Sequence, residues 1–91
     1  AAQRIPEALE DLDAGLSHEP DNVMMLVNRG IARSLTGDTD GALRDLERAV
    51  TLAPESSAAW HNYSRALERA GRSEEAARAR ARTRDAGNAC E

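Results

Sequence analysis

The chain has no lysine and no phenylalanine, and only one cysteine, one tryptophan and one tyrosine. Each gap excludes something. Without lysine there is no Schiff-base chemistry, no lysine general base and no phosphate-binding lysine of a P-loop. A single cysteine, Cys90, excludes an internal disulfide and any multi-cysteine zinc site. With aromatics at 2 % against a hydrophobic fraction of 41 %, the core rests on alanine and leucine and must be thin and closely spaced. There is no apolar stretch long enough to span a bilayer and no basic-then-apolar signal segment. We expect a soluble, cytoplasmic piece of a longer chain. Two histidines, His18 and His61, form no helical metal pair. The segment from Gly37 to Gly41 is too short and too acidic to cradle phosphate, and serves as a turn. Asn62-Tyr63-Ser64 matches a glycosylation acceptor by chance, because it falls within a helix. The reading is therefore non-catalytic, without metal or cofactor.

What is present is a repeat. Shifted by 34 residues, Leu26 falls on Trp60, Asn28 on Asn62, Ala32 on Ala66, Gly37 on Gly71 and Ala42 on Ala76. Shifted back, Ala42 falls on Ala8, Leu43 on Leu9, Leu46 on Leu12, Val50 on Leu16 and Pro54 on Pro20. Small residues recur where turns or close packing are needed, and large apolar ones recur at helical spacing.

Caps and periodicity then predict five helices. The first runs from Pro6 to Ser17 with a stripe of Ile5, Ala8, Leu9, Leu12 and Leu16. The second runs from Val23 to Thr36, capped by Asp21 or Asn22 and ended by Gly37. The third follows Asp38-Thr39-Asp40 and buries Ala42, Leu43, Leu46, Ala49 and Val50. The fourth, capped by Ser56 or Ser57, carries Ala59, Trp60, Tyr63, Ala66 and Leu67. The fifth begins after Ser73, with Glu74 and Glu75 in its positive first turn. Short connections make neighbouring helices antiparallel. Gly30, Ser64, Ala42 and Ala76 are small where helices of one hairpin approach. Trp60 and Tyr63 are expected to be largely buried.

The period and residues resemble the tetratricopeptide repeat family, through Trp60-His61-Asn62-Tyr63-Ser64-Arg65-Ala66-Leu67 with Gly71 and Ala76, and through Leu26 to Gly30 with Gly37, Ala42, Leu46, Ala49 and Pro54. Arg33 stands where the pattern has tyrosine, and Arg80 and Thr83 replace apolar or small residues. The resemblance implies an all-α fold of antiparallel helix hairpins stacked as a right-handed α-solenoid fragment. Residues 1–20 would be the second helix of a truncated repeat, 21–54 and 55–88 two full repeats, and 89–91 a tail.

It also implies a protein or peptide partner, held in a concave groove lined by the first helix of each hairpin. The groove positions are Met24, Val27, Asn28, Ile31, Ser34 and Leu35, then Ala58, His61, Asn62, Arg65, Glu68 and Arg69. Val27 and Ile31 occupy places where some family members carry a lysine and an asparagine that grip a carboxylate, so that clamp is not carried over. Met24, Val27 and Ile31 equally suit packing against a neighbouring helix. The rival reading is a structural or self-associating segment of a longer array.

Charge is uneven. Residues 1–57 hold five arginines and eleven acids, a balance of −6; residues 58–91 hold seven arginines and five acids, a balance of +2. Arg78, Arg80, Arg82 and Arg84 lack aromatic interleaving, so no nucleic-acid partner is expected, nor a membrane. The stripe of Ile5, Leu9, Leu12 and Leu16 cannot be covered by one neighbour, which predicts weak symmetric homodimers through the first helix.

Overall fold

A computed structural model describes the backbone over residues 5–89 and the side chains over residues 5–84. Cys90 lies outside the described residues. Five helices follow one another: α1 (Ile5–His18), α2 (Val23–Leu35), α3 (Thr39–Leu52), α4 (Ser57–Arg69) and α5 (Ser73–Ala89). The described residues contain no strand. The predicted boundaries hold to within a residue or two, the usual uncertainty of helix ends.

The caps explain where the helices begin. Asn22, rather than Asp21, caps α2, its Oδ1 accepting from the Met25 N–H at 3.0 Å. Ser56 does the same 34 residues on, its Oγ accepting from the Ala59 N–H at 3.1 Å. Each satisfies an amide that the helix itself leaves unpaired. Gly37 and Gly71 end α2 and α4 with φ of 89° and 77°, a region costly for a residue with a Cβ. Their neighbours close the turns alike: the Asp38 N–H donates to the Arg33 carbonyl and the Arg72 N–H to the Leu67 carbonyl.

The hairpins α2–α3 and α4–α5 pack most closely, and α3 packs on α4. α2 also touches α4, while α1 packs on α2 alone. Buried Leu26, Leu43, Leu46, Val50, Ala59 and Leu67 form one continuous core through the hairpins. The expected close approaches are present. Ala42 and Ala76 are fully buried, and Ser64 nearly so. A Cβ on Gly30 would sit 2.7 Å from the Leu46 side chain.

One expectation about burial is corrected. Leu16 is not part of a bare stripe but joins the core, because it sits where α1 turns into α2. Ile5, Leu9 and Leu12 remain half-buried and Ala8 is exposed. Trp60 and Tyr63 pack against the core, as expected, with part of each ring left exposed. Among the described residues the α3 and α5 backbones do not pack on each other, so the side of α4 facing away from α2 is open between them.

Candidate functional site

The face shared by α2 and α4 is built from one stripe on each helix. Met24, Asn28, Ile31 and Leu35 recur at helical spacing along α2. Ala58, Asn62, Arg65 and Arg69 occupy the same register along α4. Met24 is 74 % exposed, Leu35 57 % and Ile31 36 %, so α2 offers apolar side chains directly to solvent. Opposite them, Arg65 and Arg69 are exposed and make no ion pair among the described residues.

Where the helices converge they enclose a recess of about 120 Å³, walled by Ile31, Leu35, Asn62, Arg65 and Arg69 above Leu46 and Ala66. That volume accommodates one or two side chains. Asn62 is oriented by its own helix, its Nδ2 donating to the Ala58 carbonyl at 2.9 Å. Ser34 lines the same recess. Glu68 does not, and is ion-paired with Arg80.

Six of the twelve expected groove residues are thus brought together. Met24 and Asn28 continue the stripe towards the start of α2 but lie outside the recess. Val27 is corrected: at 8 % exposure it is a core residue. It belongs to the part of α2 covered by the next hairpin, since α4 packs directly on α2. His61 is its equivalent 34 residues on, yet it is exposed and outside the recess. No further helix packs on α4 there among the described residues.

The opposite side of the hairpins carries features that no groove pattern foretells. Over α2, the Asp45 carboxylate is buried, its side chain only 5 % exposed. Arg29 grips both its oxygens, Nε at 2.9 Å and Nη2 at 2.8 Å, and Arg33 Nη1 adds a third contact at 3.0 Å. Arg29 also reaches Asp13 on α1 at 2.9 Å. One guanidinium therefore ties α1, α2 and α3 together. Its own pKa is raised, first by the hydrogen bond to Asp45 and against the opposing effect of burial.

Over α4, the same positions hold Tyr63, Leu67 and Ala79 in place of Arg29, Arg33 and Asp45. The Trp60 and Tyr63 rings lie 6.1 Å apart at 51°, and the Arg82 guanidinium sits 4.7 Å from the centre of the Trp60 ring. The Trp60 indole N–H donates to the Pro54 carbonyl at 2.9 Å. Burial pushes the Tyr63 phenol above its ordinary pKa, and the charges of Glu47 and Glu75 push the same way.

No group of three or more potential metal ligands is assembled among the described residues. Nor is any described helix long and apolar enough to cross a membrane.

A family model for the tetratricopeptide repeat matches residues 35–89. A curated mouse (Mus musculus) protein, Tetratricopeptide repeat protein 36, is 52 % identical over 46 residues, which is 50 % of this chain and 25 % of that protein. A solved structure, MamA MSR-1 C2, superposes with a TM-score of 0.88 at 20 % identity, over 98 % of this chain and 51 % of that one. At that identity the likeness concerns the fold. The chain spans about a quarter of the curated relative and about half of the solved one.

Proposed function

The chain belongs to the tetratricopeptide repeat family, and from that premise we infer that it is a non-catalytic scaffold for protein–protein interaction. Its five helices form the stacked hairpins of an α-solenoid. The finer reading is that the face shared by α2 and α4 holds a peptide or a partner helix.

One observation supports this above the others. Ile31 and Leu35 stand exposed across a small recess from Arg65 and Arg69, two exposed cations unpaired among the described residues. A surface that places apolar side chains beside cations suits a partner with an apolar residue next to an acidic one. The helices that present these residues are already packed in place. Binding therefore loses little free energy to ordering the scaffold.

The test is a labelled peptide library with leucine beside aspartate or glutamate, read by fluorescence anisotropy. The reading expects binding above background, weakened about tenfold by Arg65→Glu and by Leu35→Asp. Binding that ignores both substitutions, or no binding by any peptide, overturns the groove as the partner site.

A further inference from the structure

We propose that the occupant of the face shared by α2 and α4 is an amphipathic helix of a partner protein, running antiparallel to both, with its carboxylates in its first turn. The proposal rests on the groove reading and goes beyond it by fixing the partner's conformation and direction.

The conformation follows from the spacing of the anchors. Met24, Ile31 and Leu35 stand exposed in one narrow line along α2, separated by seven and then four residues. At a rise of about 1.5 Å per residue these steps are about 10.5 and 6 Å. An extended chain rises about 3.3 Å per residue and turns every second side chain to one side, so its anchors recur about every 6.6 Å. Such a chain meets Ile31 and Leu35, but its further anchors fall about 4 Å short of Met24 or about 3 Å beyond it. A helix repeats both steps with residues four and seven apart, which lie on one face.

Backbone chemistry points the same way. Of the side chains lining the recess, only Ser34 and Asn62 accept a hydrogen bond from a peptide N–H, and the arginines only donate. A helix beyond its first turn brings its amides already paired. The recess between Ile31, Leu35 and Arg65, floored by Leu46, then receives one apolar anchor as a knob in a hole.

Charge fixes the direction. Each of α2 and α4 forms a hairpin with the helix that follows it, and α3 joins the two hairpins, so α2 and α4 run the same way. Arg65 and Arg69 lie towards the end of α4, across the recess from Ile31 and Leu35. Neither is ion-paired among the described residues. The partner's carboxylates therefore belong at that end. In an antiparallel helix that end is the N-terminus, which favours carboxylates; in a parallel helix it is the C-terminus, which disfavours them. The partner thus carries acids in its first turn, then apolar residues spaced by four and then seven, meeting Leu35, Ile31 and Met24 in that order.

The probe is an alanine-rich, carbon-13-labelled peptide with blocked ends, glutamates in its first turn and leucines at that spacing. Its reversed sequence offers the same side chains to the same residues, but only by running parallel to α2. A third peptide carries proline between its second and third leucines. Fluorescence anisotropy reads affinity, and the Cα chemical shifts of the bound peptide read its conformation. On the parent protein the acid-first peptide should bind about fivefold tighter than its reverse. Its shifts should move to helical values at saturation, and proline should weaken it at least about tenfold. Arg65→Glu with Arg69→Glu should erase the advantage of the acid-first order.

Binding with the shifts of an extended chain overturns the helix and leaves the groove reading standing. Equal affinity for the two directions overturns the antiparallel placement and, again, not the groove. Failure of every peptide, helical or extended, overturns the groove reading and this proposal with it. Self-association of the chain that Leu35→Asp abolishes would give the face to a second copy and also overturn the proposal.

Discussion

The two full repeats carry the same backbone and opposite interiors on their open sides. Over α2 the register positions are Arg29, Arg33 and Asp45; over α4 they are Tyr63, Leu67 and Ala79. The α1 wall supplies Asp13 to Arg29, and the charge of Glu47, at the same place on α3, acts on Tyr63. One valley is filled by a charge network, the other by aromatic and aliphatic packing. Helix hairpins of one shape therefore tolerate either solution, provided that the three positions change together. A lone arginine beside Leu67 and Ala79 would have no carboxylate to meet. A lone Asp45 without its two guanidinium partners would be a charge held away from water.

Breaking the network should give the largest effect. Asp45→Ala leaves Arg29 with Asp13 only and strips Arg33 of its closest carboxylate. We expect a loss of about 3 kcal/mol, the low end for breaking a buried pair, because both guanidinium groups keep some solvent. Transplanting the other valley, with Arg29→Tyr, Arg33→Leu and Asp45→Ala together, should restore the parent's stability or exceed it slightly. Urea unfolding of the single and triple variants decides the matter. A triple variant no more stable than Asp45→Ala would show that the two valleys are not interchangeable.

The aromatic valley should respond less sharply. Trp60→Ala removes a half-buried ring, its contact with Arg82 and its bond to the Pro54 carbonyl. We expect about 2 kcal/mol, below the roughly 3–5 kcal/mol of a fully enclosed tryptophan. A larger loss in urea unfolding would mean that the open side of α4 is covered in solution.

The contrast also shows which parts of the structure were legible in the residue pattern. The 34-residue register, the turns at Gly37 and Gly71, and the close packing at Gly30, Ala42, Ser64 and Ala76 are local or strictly periodic demands. They leave a trace at each recurrence. Arg33 stood out only as a departure from tyrosine, because its partner is one acid among sixteen and lies on another helix. A signal was available: residues 29, 33 and 45 all change character under the shift to 63, 67 and 79, and positions that change together are often in contact.

Val27 was misplaced for a different reason. A helical wheel shows that Val27 and Ile31 lie close on α2, but not which of them the next hairpin covers. The stripe on α1 failed at Leu16 likewise, since burial there depends on how the chain turns into α2. Exposed Ile31, Leu35, Arg65 and Arg69 were recoverable because they sit on the stripe that neither hairpin partner covers.

The helix starts of α3 and α5 differ at two register positions as well. Asp38 caps α3, its Oδ1 accepting from the Gly41 N–H at 2.9 Å, and a Cβ on Gly41 would collide with the Asp38 carboxylate. At the equivalent places α5 has Arg72 and Glu75, joined by an exposed ion pair at 2.8 Å. Asp38→Ala should cost about 1 kcal/mol through the lost cap. Arg72→Ala should cost less than the lost cap, because an exposed pair one helical turn apart is screened by water and salt. Thermal melts of the two variants measure the difference. Equal losses would show that the cap adds nothing beyond a surface charge pair.

Alkaline pH offers the finest test, because only one of the two valleys titrates. Arg29 stays protonated, its pKa raised further by Asp45. Tyr63 holds its proton more tightly folded than unfolded, through burial and then through the charges of Glu47 and Glu75. Its contribution is therefore complete below the ordinary tyrosine pKa of about 10. Above that value the unfolded chain releases the proton first, so stability falls as pH rises towards and through the folded value. The chain has no lysine and a single tyrosine, so Cys90 is the only other side chain with an ordinary pKa near this window. Melting temperature followed from neutral to alkaline pH should decline more steeply in the parent than in Tyr63→Phe. Phenolate absorbance should place the folded Tyr63 transition above that of the urea-unfolded chain. If the two transitions coincide, Glu47 does not act on Tyr63 as Asp13 acts on Arg29, and the correspondence between the two valleys fails at that wall.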